Sequence, residues 1–346
     1  MTETRTSKGQ TRQDGSPAER NREDQGPGGS RLILNSTNVL STWPTVKPRA
    51  LEAIGRFVIF GGGYTGTRLA RALAAFGVPV TLTHRQPTPP AEASQAHWLR
   101  FDSSSGALPG ASDLAGMTHA LVTIPPNDAG TDPVLGSLLP LVRQAAPAWV
   151  GVFSTTGVYG DRGGGWVDEE SDPQPAPGRS LARLRCEQTW RGSGLPLQIF
   201  RLPAIYGPGR SPFASLLEGR ARLIHKPGQV FSRIHVDDIV GAILHVLSLP
   251  ASERPLLLNL ADAEPCPSSE TLGHAAHLLG HKLPPVERFA DVAESLSPMA
   301  RSFWQENRRA DSRRLRDRLG YPLRYPSYRE GYREGCREDW LGRAKT

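Results

Sequence analysis

Three glycines, Gly61, Gly63 and Gly66, stand in the run Phe57 to Arg85 (FVIFGGGYTGTRLARALAAFGVPVTLTHR) at a spacing suited to holding phosphate. The first permits a tight turn, the second lets the backbone approach a pyrophosphate, and the third lets the following helix pack close to the preceding strand. The helix start then offers unpaired N–H groups to the phosphate oxygens. A P-loop shares the Gly61–Gly66 spacing but needs Lys-Ser/Thr next, and Thr67-Arg68 stand there instead. Sites of this kind that select NAD carry an Asp or Glu about twenty residues further on, where it accepts from the ribose hydroxyl. Here the corresponding stretch ends Leu82-Thr83-His84-Arg85, with no carboxylate before Glu92. Arg85 can pair with a 2′-phosphate through charge-assisted hydrogen bonds, so the expected cofactor is NADP in preference to NAD. A solvated arginine stacked on the adenine ring is the alternative.

That chemistry requires a strand before the glycines and a helix after them. Phe57 to Phe60 is an apolar run rich in β-preferring residues, as in a strand buried on both faces. Leu69, Ala70, Leu73 and Ala74 recur at helical intervals, Gly77 is placed to end the helix, and Val78 to Thr83 reads as a second strand. After a Pro-rich loop, His97 to Phe101 reads as a third strand ending at Asp102. His119 to Ile124 is a further buried strand, Leu135 to Ala146 a helix, and Trp149 to Phe153 another strand. Alternation of this kind predicts an α/β fold with a doubly wound parallel sheet.

At 346 residues and 38% hydrophobic content, the chain can build a substantial core and about two domains. No apolar run approaches the eighteen or so residues of a membrane span, and the N-terminus lacks the apolar region of a secretory signal. Cys186, Cys266 and Cys336 are far apart, which points to a reducing, cytoplasmic setting without disulfides or zinc. The net charge of +7 admits acidic ligands, but much of it sits in the terminal segments. Residues 1–53 are polar and read as a disordered tail, with the folded part beginning near Ile54; Glu3, Asp14, Glu19, Glu23 and Asp24 argue against a transit peptide. His274, His277 and His281 could share a helix face, yet no Cys or acidic partner adjoins them, so no metal site is expected.

Further along come FSTTGVYGD (153–161), WVDEESDPQPAP (166–177), RLPAIYGPGR (201–210), RIHVDDIVGAIL (233–244), LNLADAEP (258–265) and ENRRADSRRLRDRLGYPLRYPSYREG (306–331). With the glycine turn, these motifs in register resemble the extended short-chain dehydrogenase/reductases, the epimerase/dehydratase-like group, and the closing pattern looks most like its atypical YeeZ-like branch. The resemblance covers nearly the whole chain from Phe57 to Gly335. It implies a Rossmann domain (54–200) and a smaller C-terminal substrate-binding domain (201–335) interleaved with the last Rossmann elements, followed by a tail (336–346). It places Thr155 where the family's active-site Ser or Thr sits, to hydrogen-bond the reacting substrate oxygen; capping of the strand end is the plainer alternative. The family's catalytic pair is Tyr-x-x-x-Lys on the next helix. Alignment of GRSLARLRCEQTW on Glu187 puts Arg179 and Arg183 at those positions. Arg183 can still hold a ribose, but Arg179 cannot act as an acid–base group. Tyr159 or Tyr206 could replace the missing tyrosine, or serve as packing residues.

Arg201, Arg210 and Arg233 fall in motifs that border the family's substrate cleft, where an arginine fork suits phosphate; Tyr206, Arg210 and Arg233 are the substrate-side candidates. His235 and Asp237-Asp238 belong to the same motif, with the carboxylates capping the helix that follows. Tyr321, Tyr325, Tyr328 and Tyr332 alternate with arginines in a way that superficially suits base stacking, but docking against the C-terminal domain accounts for them better, and no nucleic-acid or membrane partner is expected. The reading is an NADP-dependent oxidoreductase or epimerase/dehydratase-type enzyme acting on a small or nucleotide-linked substrate that can carry phosphate. Cofactor binding falls to Gly61, Gly63, Tyr64, Thr65, Gly66, Arg85 and Asp102, and catalysis to Thr155, Tyr159 and Arg183. The alternative is a catalytically degenerate NADP-binding regulatory or redox-sensing module.

Overall fold

Strand β1 (Arg56–Phe60) sends alternate side chains to opposite faces, and each face meets its own core. The computed structural model describes residues 41–89, 96–127 and 130–343, and side chains as far as Gly335. β1 leads through the glycine turn into helix α1 (Tyr64–Ala74), then β2 (Val80–His84) and β3 (His97–Arg100). β4 (Met117–Val122), helix α2 (Pro133–Ala145) and β5 (Trp149–Thr155) follow. A two-residue strand β6 (Trp166–Val167) precedes helix α3 (Arg179–Arg191) and β7 (Leu197–Leu202).

The remaining chain alternates between two bodies. β8 (Ala204–Tyr206), β9 (Leu223–His225) and β10 (Arg233–His235) lead into helix α4 (Val236–Leu247) and β11 (Leu257–Asn259). Helix α5 (Ser268–Leu279), β12 (Val286–Arg288), β13 (Arg309–Ala310) and helix α6 (Tyr328–Arg343) complete it. The main sheet has the order β11-β7-β5-β4-β1-β2-β3, and each of its neighbouring pairs is parallel. Phe57 and Ile59 pack with Leu69 and Leu73 of α1 and with α4 on one face. Val58 and Phe60 pack with Val134, Leu138 and Val142 of α2 and Trp190 of α3 on the other. The strand order reverses between β1 and β4, which is the switch point where doubly wound sheets bind ligands, in the crevice at the C-terminal ends of the strands. A second, smaller core gathers Tyr206, Phe213, Leu216, Leu223, Leu272, Tyr328 and Tyr332.

Two boundaries differ from expectation. Residues 41–53, expected in the polar tail, are folded: Trp43, Val46 and Leu51 are buried, and a short helix spans Pro48–Glu52. The Trp43 indole donates to the Asp237 carbonyl at 3.0 Å and fills the space left by Gly241, whose Cβ would overlap it. One large ring in a groove of α4 anchors the segment without any repeating apolar pattern, which is why composition misses it. Residues 1–40 lie outside the described residues. At the other end α6 continues to Arg343, through most of the expected tail 336–346; its Arg- and Glu-rich sequence favours helix.

Candidate functional site

The glycine turn has the geometry that phosphate binding asks of it. Gly61 has φ +117°, a conformation open to glycine alone at little cost. Its N–H donates to Thr83 Oγ1 at 2.9 Å, and Thr123 Oγ1 donates to its carbonyl at 3.0 Å, so β2 and β4 fix the turn from both sides. A Cβ on Gly66 would overlap the Gly61 carbonyl oxygen, so close packing of α1 on β1 depends on that glycine. Gly63, the N-cap of α1, has nothing within 4 Å of the place a Cβ would take. The open space lies at the helix start, beside Tyr64 and Thr65 of the first turn, so these residues fit a dinucleotide pyrophosphate.

Just past the C-terminal end of β2, Arg85 is exposed. Asp102, just past β3, lies near enough to feel its charge; the Asp102 carboxyl is held below its usual range first by the Ser104 hydroxyl and only slightly by Arg85. The structure therefore brings Arg85 and Asp102 to one corner of the crevice. Sequence reasoning passed over Trp98, whose ring would collide with any Cβ on Gly62 and which walls the turn on the β3 side. Its edge-on contact with His84, 5.9 Å between centroids, ties the ends of β2 and β3 together.

The IYGPGR loop closes over the opposite flank. Tyr64 donates its hydroxyl to the Pro208 carbonyl at 2.9 Å, and the Arg210 guanidinium lies 4.2 Å from the centroid of the Tyr64 ring. Gly207, at φ +142°, leaves room for that hydroxyl, since a Cβ would come within 2.8 Å of it. Arg210 itself is exposed, beside the glycine turn, where an anionic ligand could reach it.

At the end of β5, Thr155 is half-buried and its Oγ1 accepts from the Gly157 N–H at 3.0 Å. Capping of the strand end is therefore real, but it uses only acceptor capacity and leaves the hydroxyl proton free to donate. Arg183 reaches from α3 to the same strand, Nη1 donating to the Phe153 carbonyl at 2.9 Å. Burial lowers its pKa from the usual arginine value. Arg179 is exposed at the first residue of α3. Glu187 forms a buried two-bond ion pair with Arg201, at 2.7 and 3.1 Å. Arg201 is thus a core residue, not a cleft residue.

Three further candidates are drawn inward. Tyr159 is fully buried, donates to Asn259 Oδ1 at 2.7 Å, and has its pKa pushed up to about 12 by burial. Tyr206 is buried, donates to the Ser327 carbonyl at 3.0 Å, and stacks edge-on against His235 and Tyr332. Arg233 is buried and donates to the carbonyls of Phe231 and Cys266 at 2.9 and 3.2 Å. Tyr206 packs in the smaller core, Tyr159 packs with Val158 and Val167, and Arg233 braces the backbone beside Cys266. The helix that follows is capped by His235, not by the carboxylates: its Nδ1 accepts from the Asp237 N–H at 3.1 Å. Asp237 pairs with Arg68 of α1 at 2.7 Å, and Asp238 accepts from Tyr321 Oη and the N–H groups of Arg324 and Tyr325. Tyr321, Tyr325, Tyr328 and Tyr332 are all buried. His281 lies beyond the end of α5, and His274 packs edge-on against Tyr328.

A family model for pyridine nucleotide-disulphide oxidoreductases matches residues 56–97, the span of β1 to β3. No curated protein sequence matches the chain. Among solved structures, the chain is similar to a functionally unknown conserved protein from Silicibacter pomeroyi DSS, with 42% identity, 82% of this chain and 99% of that one covered, and a TM-score of 0.75. It also resembles MoeE5 in complex with UDP-glucose and NAD (21% identity, 84% and 100% covered, TM-score 0.66). A human epimerase family protein with NADPH is alike to a similar degree (21% identity, 81% and 98% covered, TM-score 0.61). The two more distant likenesses bear on the fold.

Proposed function

We propose, because this chain belongs to one family with the Silicibacter pomeroyi protein and is of the extended short-chain dehydrogenase/reductase type, that it is an NADP-dependent oxidoreductase or epimerase/dehydratase-type enzyme. The observation that carries this reading is the open helix start at Gly63, framed by Trp98 on one side and the Tyr64–Pro208 contact on the other. When bound, a nicotinamide ring supplies the hydride donor or acceptor. The first-turn N–H groups of α1 bind the pyrophosphate, and Arg85 with Asp102 holds the adenosine end. Arg183, oriented by the Phe153 carbonyl, keeps donors free for a ribose and brings fixed positive charge. Thr155 directs its free O–H toward a substrate oxygen. Arg210, stacked on Tyr64, suits a phosphate-bearing substrate; a nucleotide sugar, such as the UDP-glucose bound by MoeE5, has that chemistry.

Cofactor selection is the direct test. Charge-assisted bonds from Arg85 to a 2′-phosphate are worth roughly 1.5–3 kcal/mol each, which corresponds to about a ten- to hundredfold preference for NADP. Titration of both cofactors into wild type and Arg85→Ala at fixed ionic strength should show NADP weakened and NAD nearly unchanged by the substitution. Equal affinities in the wild type would defeat the NADP assignment. Turnover is then followed at the nicotinamide absorbance with a panel of sugar nucleotides and carbonyl compounds. Tight NADP binding without turnover of any of them would favour a regulatory module.

A further inference from the structure

The position beside the missing tyrosine holds an unused hydroxyl. Ser180 is the second residue of α3, next to Arg179, and is half-buried. A Cβ on Gly157 would lie 2.6 Å from Ser180 Oγ and 3.3 Å from Thr155 Oγ1. The two hydroxyl oxygens therefore lie near one another beside Gly157, whose missing side chain lets Ser180 Oγ come up against the backbone there. Gly157 does not adopt a left-handed conformation, so the backbone there does not require glycine; the close approach of Ser180 does. Among the described residues nothing accepts from or donates to the Ser180 hydroxyl. Thr155 Oγ1 spends only one lone pair, on the Gly157 N–H. Ser180 and Arg183 are three residues apart and so share a face of α3, whose inner side the Glu187–Arg201 pair pins to β7.

We propose that Ser180 is a catalytic residue: with Thr155 it forms a two-hydroxyl clamp on the reacting oxygen of the substrate, a carbonyl or a secondary alcohol, at the place where relatives use a phenol. This rests on the enzyme reading given above. A serine hydroxyl is too weak an acid to mimic a tyrosine, but it can donate a hydrogen bond to an oxygen that gains negative charge as hydride moves. Donors placed in advance at a site of developing charge stabilise it without reorganisation. Sequence comparison with the Tyr-x-x-x-Lys pattern passes over Ser180, because the pattern looks one residue earlier.

The test is Ser180→Ala with Ser180→Thr as its conservative control, each assayed for turnover, NADP affinity and thermal midpoint. Loss of a donor that acts in the transition state should lower kcat by about tenfold to a hundredfold while leaving KM and NADP affinity within about twofold. Ser180→Thr, which keeps the hydroxyl, should recover most of the rate. Wild-type kcat in Ser180→Ala overturns the clamp and leaves the enzyme reading standing. Joint loss of NADP affinity and thermal stability in Ser180→Ala would make the residue structural and also overturns it. Tight NADP binding by a wild type that turns over no panel substrate removes the enzyme reading, and the clamp falls with it.

Discussion

A phenol can relay a proton only if it can lose one and reach the substrate, and burial works against both at Tyr159 and Tyr206. Tyr159 has its pKa raised to about 12, and burial pushes Tyr206 up as well. Both hydroxyls are already donors to groups in the protein interior. Neither fate was legible in FSTTGVYGD or IYGPGR, since nothing local announces that Asn259, a hundred residues away, will accept from Tyr159. The Thr155 cap could be read because it depends only on its own strand end. Tyr159→Phe should therefore act on stability, by leaving Asn259 Oδ1 buried without its donor, at a cost of about 1–3 kcal/mol. Chemical denaturation should register that loss while kcat stays close to wild type. Abolished turnover at unchanged stability would return the relay to Tyr159.

At the scale of elements, the strand–turn–helix unit was the most legible part of the chain, because each glycine answers a local steric demand. Gly63 and Gly66 answer different ones, and alanine substitution separates them. Gly63 sits at φ −80° with free space around it, so Gly63→Ala leaves the fold intact. Its methyl group would occupy the space the pyrophosphate needs, so NADP affinity should fall at least about tenfold with an unshifted denaturation midpoint. Gly66→Ala would drive its methyl into the Gly61 carbonyl, prying α1 from β1. Overpacking of that kind costs about 1–3 kcal/mol, so here stability and NADP affinity should fall together. Unchanged NADP binding in Gly63→Ala would show that the phosphates do not lie over this turn. The strand ends were less legible: β2 begins at Val80 and not Val78, and β5 runs on to Thr155, since pairing partners set those limits.

Across the whole molecule, α4 is the element on which one face of the main sheet and the N-terminal segment converge, and all twelve of its residues are buried. Sequence showed an apolar helix there but not its cover: Trp43 comes from one end of the chain and Tyr321 from the other, and both meet at Gly241. The price is a set of ionisable groups at its start that cannot exchange with water. His235 caps α4 through an unprotonated Nδ1, and burial, opposed by Asp237 and aided by Arg68 and Arg324, depresses its pKa from 6.5 to about 4. Burial, with a smaller push from Arg254, brings His119 of β4 down to about 4 as well. Between these limits the unfolded chain binds protons that the folded chain refuses. Each histidine's contribution is thus complete above pH 6.5 and lost as pH falls toward 4. Asp238 opposes them: burial raises its pKa from 3.8 to about 6, so the folded chain binds its proton first and stability from this group rises as pH falls through the same window. At about 1.4 kcal/mol per pKa unit, His235 is worth on the order of 3 kcal/mol, while Asp262 and Glu169, both raised by burial, join Asp238 on the opposing side. The slope of the whole chain is set by several groups, and a variant isolates the part that belongs to His235. His235→Asn keeps an acceptor that caps helices well but does not titrate. Between pH 6.5 and 4 the wild type should therefore lose on the order of 3 kcal/mol of stability relative to that variant. Parallel pH profiles for the two proteins would mean that His235 is already charged in the folded protein, and that it does not cap α4 through a neutral ring.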